Sequence, residues 1–508
     1  MSRFLKKYWH LIALAFIVLL GGFLRFYRLP RLTSFHHDTA RDIDVVRRIV
    51  QDHKLTLLGP PTSFSISGNP YGVTYFGPIF YYLIAPFLFL SRLNPIGPAL
   101  AVAALGIITI ILTFIIVEKM TDNFLAALLA ALLLACSPAA VKFSRWAWNP
   151  NLTPLFSLLV FYFLLIFMRS RKYLWVFITG FCFGIVFQLH FISYWLFLFT
   201  LWVIFYLQKG RLVFKLRSLF CFLLGILIPT LPMVIFEVRH HWLNTRSMVF
   251  NIINQSTKSS YLGFNLSRFK QILLSLGRHF LGINQDSFLI VFSLLLILFM
   301  GYFLLKRNLR ERYLLVLGFF LFGFLGSSIF GGGEQISPHY FLPLSVAFFI
   351  LLGVFIAEIL KIKRVGLFLV LLFVFGSVAL SIPKNWKRIT QIRSDSLERY
   401  QDVSNLIITD ILLSKFQNEV NVANLLDNDR RAISFRYFFN AQKIPILGVE
   451  DYPNADILYV IDKDYGWDGI VNNTDTWEVY SFQPKVLLDT IDGPKRIKIY
   501  KIGKKKNG

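Results

Sequence analysis

Acidic residues and cysteine are what this 508-residue chain has least of. Only 28 Asp and Glu face 53 Lys and Arg, and only 11 of those acids precede residue 395. The three cysteines, Cys136, Cys182 and Cys221, all fall in apolar runs. That placement excludes a disulfide framework and reads as small core residues. The C-terminal part carries no phosphate-cradling glycine loop, no dinucleotide fingerprint and no zinc-ligand spacing. No basic run lies outside short apolar-flanked loops, which argues against a nucleic-acid partner. No small-residue cleavage site follows the N-terminal Arg3, Lys6, Lys7 and the apolar run to Leu24. That start is read as an uncleaved first transmembrane helix.

What the chain has is apolar length: 56% of it is hydrophobic and 17% aromatic. Repeated long apolar runs mark an α-helical polytopic membrane protein. Charge divides the chain. Residues 395–508 hold 17 of the 28 acids and 15 of the 53 bases, so a strongly basic membrane domain (1–390) precedes a nearly neutral soluble one (395–508). About eleven crossings are expected, each near the ~20 residues a helix needs. They lie at 10–27, 98–118, 123–140, 152–168, 173–188, 191–208, 217–236, 287–305, 313–330, 340–359 and 365–382. With Met1 cytoplasmic, the loops at Lys119, Arg169–Lys172, Lys209–Arg217, Lys306–Arg312 and Lys361–Arg364 all fall inside, as the positive-inside rule requires. Counting the apolar stretch 76–91 as a crossing inverts every later loop. It is therefore read as an interfacial or re-entrant helix. The expected location is the plasma membrane, with residues after 383 extracytoplasmic. There, an amphipathic helix (396–415), a helix near 430–440 and strands at Val420–Leu425, Ile457–Ile461, Val479–Phe482 and Ile497–Ile502 suggest a small α/β domain.

The scarce acids make their positions informative. Phe35-His36-His37-Asp38-Thr39-Ala40-Arg41-Asp42 follows the first hydrophobic segment almost at once. On a helix, Asp38 and Asp42 lie one turn apart on one face. Grouped charge at a membrane edge points to a site. The bland alternative is that Asp38 caps a helix and Asp42 pairs with Arg41 or Arg47. The adjacent imidazoles of His36 and His37 point in different directions, and no matched third ligand is visible, so a metal site is not supported. The loop containing Lys142, Ser144, Arg145, Trp146, Trp148, Asn149 and Asn151 combines bases, aromatics and amides. It suits an anionic headgroup or a sugar, or else an aromatic belt with snorkelling bases. Gln188 and His190 interrupt an apolar stretch. Glu237, Arg239, His240 and His241 open the next outer loop, and Gly331–Glu334 runs toward His339 and Tyr340. Each cluster lands on the same expected membrane face.

Taken in order, these motifs resemble a C-type (GT-C) glycosyltransferase of the family containing dolichyl-phosphate-mannose protein mannosyltransferases and the bacterial aminoarabinose transferase of lipid A. The likeness runs through Leu24-Arg25-Phe26-Tyr27, Asp38 to Asp42, Gly77-Pro78 to Tyr82, Ser144 to Asn151, Gln188-Leu189-His190, Phe236 to His240 and His339-Tyr340. It covers about residues 1–380.

The resemblance implies a many-helix membrane fold with interfacial helices and an active site at the outer surface. It also implies inverting transfer of a sugar from a polyprenyl-phosphate donor to an acceptor hydroxyl on a protein, lipid or cell-surface glycan. Asp38 takes the place of the catalytic carboxylate, with Asp42 beside it. Arg145, Lys142 and Arg239 are the expected donor-phosphate cations. Trp148, Asn149, Asn151, Gln188, His190, Glu237, His339 and Tyr340 are the expected sugar and acceptor contacts. Two departures stand out. Asn149 replaces an acid that many relatives carry, which argues against a required divalent metal, and Phe76 replaces a His or Lys before Gly77-Pro78. The alternatives are a lipid or solute transporter and a non-catalytic envelope assembly protein. Nearly acid-free spans and the absence of an inverted repeat count against the transporter.

Overall fold

The computed structural model describes residues 3–62, 68–258, 266–305, 310–329, 337–414 and 419–504. The Gly331–Glu334 loop singled out above lies outside them. The chain forms two compact units. One comprises residues 1–27, 56–83 and 99–390. The other comprises 28–55, 84–98 and 391–508. The division expected from charge, at 390–395, leaves two N-terminal segments on the other side of this line.

In chain order, α1 (Arg3–Phe26) leads through the one-turn α2 (Leu29–Leu32) to α3 (His37–Gln51). Then come α4 (Ile79–Leu90), α5 (Ile96–Thr121), α6 (Phe124–Cys136), α7 (Pro138–Phe143), α8 (Thr153–Ser170) and α9 (Tyr173–Leu189). They are followed by α10 (Trp195–Trp202), α11 (Leu212–Arg239), α12 (Leu243–Lys258), α13 (Leu266–Ser275) and α14 (Asp286–Leu305). The helical series ends with α15 (Arg310–Ile329), α16 (Leu342–Leu360) and α17 (Lys363–Thr390).

Within the helical unit, six helices among the described residues are long and apolar enough to cross a membrane: Trp9–Phe26, Ile96–Thr121, Asn149–Ser170, Leu212–Arg239, Pro338–Leu360 and Lys363–Thr390. Five shorter apolar helices, Phe124–Cys136, Tyr173–Leu189, Phe191–Leu207, Asp286–Tyr302 and Tyr313–Ile329, occupy the other expected crossings. The chain is thus a multi-pass membrane protein. The crossing expected at 123–140 is broken. Asn123 caps α6 by accepting the Ala126 N–H at 3.0 Å, and Ser137-Pro138 ends it and starts α7. Helix α4 has 12 residues. At ~1.5 Å per residue that is ~18 Å, short of the ~30 Å hydrocarbon core. Its Phe87, Phe89 and Leu90 are exposed, whereas the equally short α6 is buried over most of its length. Helices α9 and α11 pack backbone to backbone. A Cβ on Gly180 would lie 2.0 Å from the Phe222 carbonyl oxygen, and one on Gly225 would lie 2.1 Å from that of Phe177. Small residues permit this approach where lipid-facing side chains supply no hydrophobic drive.

The second unit is built on a four-stranded sheet: β1 (Val420–Asn424), β2 (Ile457–Asp462), β3 (Lys485–Asp492) and β4 (Lys498–Lys504), in the order β1-β2-β4-β3. β1 and β2 run parallel, and β4 is antiparallel to both β2 and β3. Helices α18 (Leu397–Leu413) and α19 (Ile433–Ala441) accompany the sheet, close to where periodicity placed them. One expectation is corrected. Val479–Phe482 is not a strand: Trp477–Tyr480 forms a helical turn, which Asn473 begins by accepting the Thr476 N–H at 2.8 Å. The strand is 485–492, an exposed edge whose alternation is broken by a bulge between Leu487 and Asp489.

α2 and α3 are held in this unit. The Phe35 N–H donates to the Asp395 carbonyl at 2.8 Å, and the Leu397 N–H donates to Thr33 at 3.0 Å. The Phe35 ring packs on Tyr437 at 5.5 Å and Phe438 at 5.6 Å.

Candidate active site

Each unit carries one group of candidate residues. In the sheet-containing unit, Asp38 sits in the first turn of α3, where the helix dipole favours its charge. His36, not Asp38, is the residue preceding the helix. Arg41 holds both carboxylates. It donates from Nη1 to Asp38 Oδ1 at 2.8 Å, and from Nε and Nη2 to Asp42 Oδ1 at 3.0 and 2.9 Å. The Asp38 side chain is 41% exposed, whereas that of Asp42 is 2% exposed. The two are therefore one turn apart, as expected, but only Asp38 is presented to solvent. His37 Nε2 lies 3.6 Å from Asp38 Oδ2. Burial pulls the His36 pKa below its ordinary value, despite the opposing pull of Asp38.

In the helical unit, Trp148, His190, His339 and Tyr340 come together. Trp148 stacks on Trp146 at 4.8 Å and meets the His339 ring edge-on at 4.8 Å. His190 lies 5.3 Å from the Tyr340 ring and 5.8 Å from His339. Burial drives the His190 pKa down to about 3, with His339 adding to the effect. This imidazole is neutral at physiological pH. Its Nδ1 accepts the Ile192 N–H at 3.3 Å, so Nε2 carries the proton and is a donor. Phe76 packs on His190 at 5.5 Å and on Phe191 at 4.7 Å. Beside these rings lies a mainly apolar pocket of about 140 Å³, lined by Phe76, Phe187, Phe191, Ile192, Met248 and Ile252 with Thr62, His190, Tyr194 and Tyr340.

Other expected site residues are committed to the scaffold. Arg145 is 4% exposed. It donates to the carbonyls of Leu24, Arg25 and Tyr27 at 2.8, 2.9 and 2.9 Å, satisfying the C-terminal end of α1. Burial lowers its pKa to about 10. Asn149 Nδ2 donates to the Leu189 carbonyl at 2.7 Å, and Asn151 Nδ2 to that of Trp146 at 2.9 Å. Gln188 Nε2 ties Gly184 to Pro229 at 2.9 and 2.8 Å. Glu237 is buried and accepts the Thr245 hydroxyl at 2.8 Å, while Arg239 is exposed. Among the described residues, no three His, Cys, Asp or Glu side chains are grouped so as to hold a metal ion.

One group escaped the sequence reading. Lys142 on α7, Arg278 and His279 in the turn Leu276–Phe280, and Lys384 and Arg388 on α17 lie at packed element ends. Asn385 Nδ2 donates to the Cys136 carbonyl at 2.7 Å, and Arg388 bonds Pro138. Lys384 Nζ donates to Gly282 at 3.0 Å and to Asn284 at 2.7 Å. Arg278 is paired with Asp286 at 2.5 Å. Burial, then the charges of Arg278, Lys384, Lys142 and Arg388, pull the His279 pKa down. A signal existed: Lys384, Lys387 and Arg388 cluster at the end of the last expected crossing.

No protein-family model matches the chain, and no curated protein is similar to it in sequence. Solved structures match it in fold. ArnT from Cupriavidus metallidurans bound to undecaprenyl phosphate matches with a TM-score of 0.59 at 13% identity, over 97% of this chain and 98% of that one. Its apo state matches at 0.59 and 14% identity, over 98% of each chain. Archaeal oligosaccharyltransferase AglB from Archaeoglobus fulgidus, in complex with an inhibitory peptide and a dolichol-phosphate, matches at 0.53 and 12% identity, over 92% of this chain and 71% of that one. The chain has the GT-C fold. Within that GT-C frame, Asn149 and Phe76 have concrete consequences. Asn149 anchors the end of α9 immediately before His190, and Phe76 forms a wall of the apolar pocket.

Proposed function

We propose that this protein is a membrane glycosyltransferase that moves a sugar from a polyprenyl-phosphate donor to an acceptor hydroxyl with inversion. The observation that carries the reading is the carboxylate pair on α3, with Asp38 presented and Asp42 buried on one guanidinium, in a chain of GT-C fold. Asp38 accepts the acceptor hydroxyl's proton as its oxygen attacks the anomeric carbon. The bond from that carbon to the phosphate oxygen breaks, and its electron pair leaves on the lipid phosphate. The leaving charge requires cations. Within the helical unit, Lys142, Lys384 and Arg388 form the proposed phosphate-binding group, and Arg239 is exposed. Arg145 is committed to the end of α1 and takes no part in phosphate binding. Trp148, His339 and Tyr340 offer ring faces to a sugar, and the neutral Nε2–H of His190 offers a donor. The apolar pocket behind Phe76 suits the first isoprene units. The N-terminus is placed in the cytoplasm, and the site and sheet-containing unit outside.

The test is binding by the purified full-length protein in nanodiscs. Undecaprenyl phosphate and dolichyl phosphate should raise its melting temperature, and neutral polyprenol should not. Lys142→Ala combined with Lys384→Ala should remove most of that rise. Equal stabilisation by the neutral lipid would refute phosphate recognition.

A further inference from the structure

The sheet-containing unit holds a cleft of about 310 Å³ that the transferase reading leaves unused. It is lined by residues of α3, of α19 and of the segment 446–449. The polar side chains lining it are Arg41, Asp44 and Arg48 from α3, and Arg436, Tyr437 and Asn440 from α19. The volume accommodates a monosaccharide or a headgroup of similar size. Three arginines against one aspartate give the walls a positive balance. Asp44 is already neutralised from within its own helix, by Arg47 at 2.8 Å and Arg48 at 3.4 Å, and it accepts from Asn440 at 3.2 Å. Arg436 is buried and fixed: it donates to the Arg431 and Leu447 carbonyls at 2.7 and 2.6 Å and also contacts Asn421. It supplies a fixed guanidinium to the lining. Arg48, 49% exposed, supplies a more mobile one.

Arg41 belongs to two places at once. It lines the cleft, and it is the guanidinium that holds Asp38 and Asp42. Its side chain is 37% exposed, and its bond to Asp38 is an exposed i,i+3 pair, the weakly held kind. Guanidinium forks match phosphate and carboxylate geometry, so an anion in the cleft competes directly for Arg41. We propose that this cleft binds an anionic sugar acceptor, carrying a phosphate or a carboxylate, and that its binding draws Arg41 away from Asp38. An acceptor thereby unclamps the base that is to deprotonate it, and an empty cleft leaves Asp38 paired. The proposal deepens the transferase reading and rests on it for naming the ligand an acceptor. Charge-selective binding in the cleft can be measured without any transfer.

The experiment is equilibrium binding of glucose 6-phosphate, glucuronate and glucose to the purified full-length protein in nanodiscs without donor lipid. At least one of the two anions should bind ten-fold or more tighter than glucose, and whichever does identifies phosphate or carboxylate as the recognised group. Arg48→Glu should weaken anion binding at least ten-fold and leave glucose unchanged. Coupling is reciprocal, so Asp38→Asn, which removes the carboxylate charge competing for Arg41 Nη1 while Asp42 still holds Nε and Nη2, should tighten anion binding several-fold. Glucose binding as well as both anions, or anion affinity indifferent to Arg48→Glu, overturns the cleft. Anion affinity unchanged by Asp38→Asn overturns the link to the base. Intact charge-selective binding in a protein that transfers no sugar would sink the transferase reading and leave the cleft standing.

Discussion

Arg145→Ala separates two roles that look alike on paper. A cation in an aromatic outer loop invites a phosphate-binding role, yet this side chain is buried and gives three bonds to the end of α1. Bonds from a charged donor contribute ~1.5–3 kcal/mol each, or ~4.5–9 for three. Holding the charge there costs something in return. The pKa falls from 12.5 to about 10, equivalent to ~3.4 kcal/mol of penalty on the charged form. The net contribution is ~1–6 kcal/mol, and a cavity left by alanine pushes the loss toward the upper end. Arg145→Ala should therefore lower thermal stability markedly, and Arg145→Lys should fail to restore it, because one ammonium cannot reach three divergent carbonyls. Donor KM in whatever fraction stays folded should be close to wild type. The assay is a melting curve in detergent, paired with donor titration of the surviving fraction. A variant that melts like wild type but has a donor KM raised ten-fold or more would refute the capping argument.

Two further outcomes follow from burial. His190 is neutral when folded, with a pKa near 3, and titrates near 6.5 when unfolded. Below pH 6.5 the unfolded chain binds the extra proton, so stability should fall by up to ~1.4 kcal/mol per pH unit as pH drops from 6.5 toward 3. His190→Gln should make that acid limb less steep in melting temperature against pH, with His36 and His279, whose pKa values burial also lowers, contributing to what remains. Gly77→Ala would set a Cβ 2.1 Å from Gln188 Oε1, a side chain fully buried and pinned by two bonds. It should destabilise by ~1–3 kcal/mol, and Gly77→Ala with Gln188→Ala should recover part of the loss.

Much of the architecture was legible because membrane helices announce themselves by apolar length. The α3 carboxylates were legible because acids are scarce before residue 395 and two of them fall one turn apart. α18, β1, β2 and β4 were legible from ordinary periodicity. β3 was not: as an exposed edge strand carrying Asp489 and a bulge, it lacks the buried alternation that reveals a strand. The role of Arg145 was hidden for a different reason. Its acceptors are carbonyls more than 100 residues away in the chain, and a backbone carbonyl leaves no mark in a sequence. Asn149, Asn151 and Gln188 were singled out as polar residues in apolar surroundings. That signal reports a satisfied buried amide as readily as a ligand contact. The Lys142, Lys384 and Arg388 group joins positions separated by some 240 residues, which only the packing of α7 on α17 connects.

The account stands most directly on Asp38. Sugar transfer from radiolabelled polyprenyl-phosphate sugars should be measured in membranes containing native acceptors and equal amounts of folded wild type or Asp38→Asn. Loss of a general base predicts a fall of ~10²–10⁴-fold in the rate, with donor binding retained. Transfer by the variant at the wild-type rate would contradict the role given to Asp38.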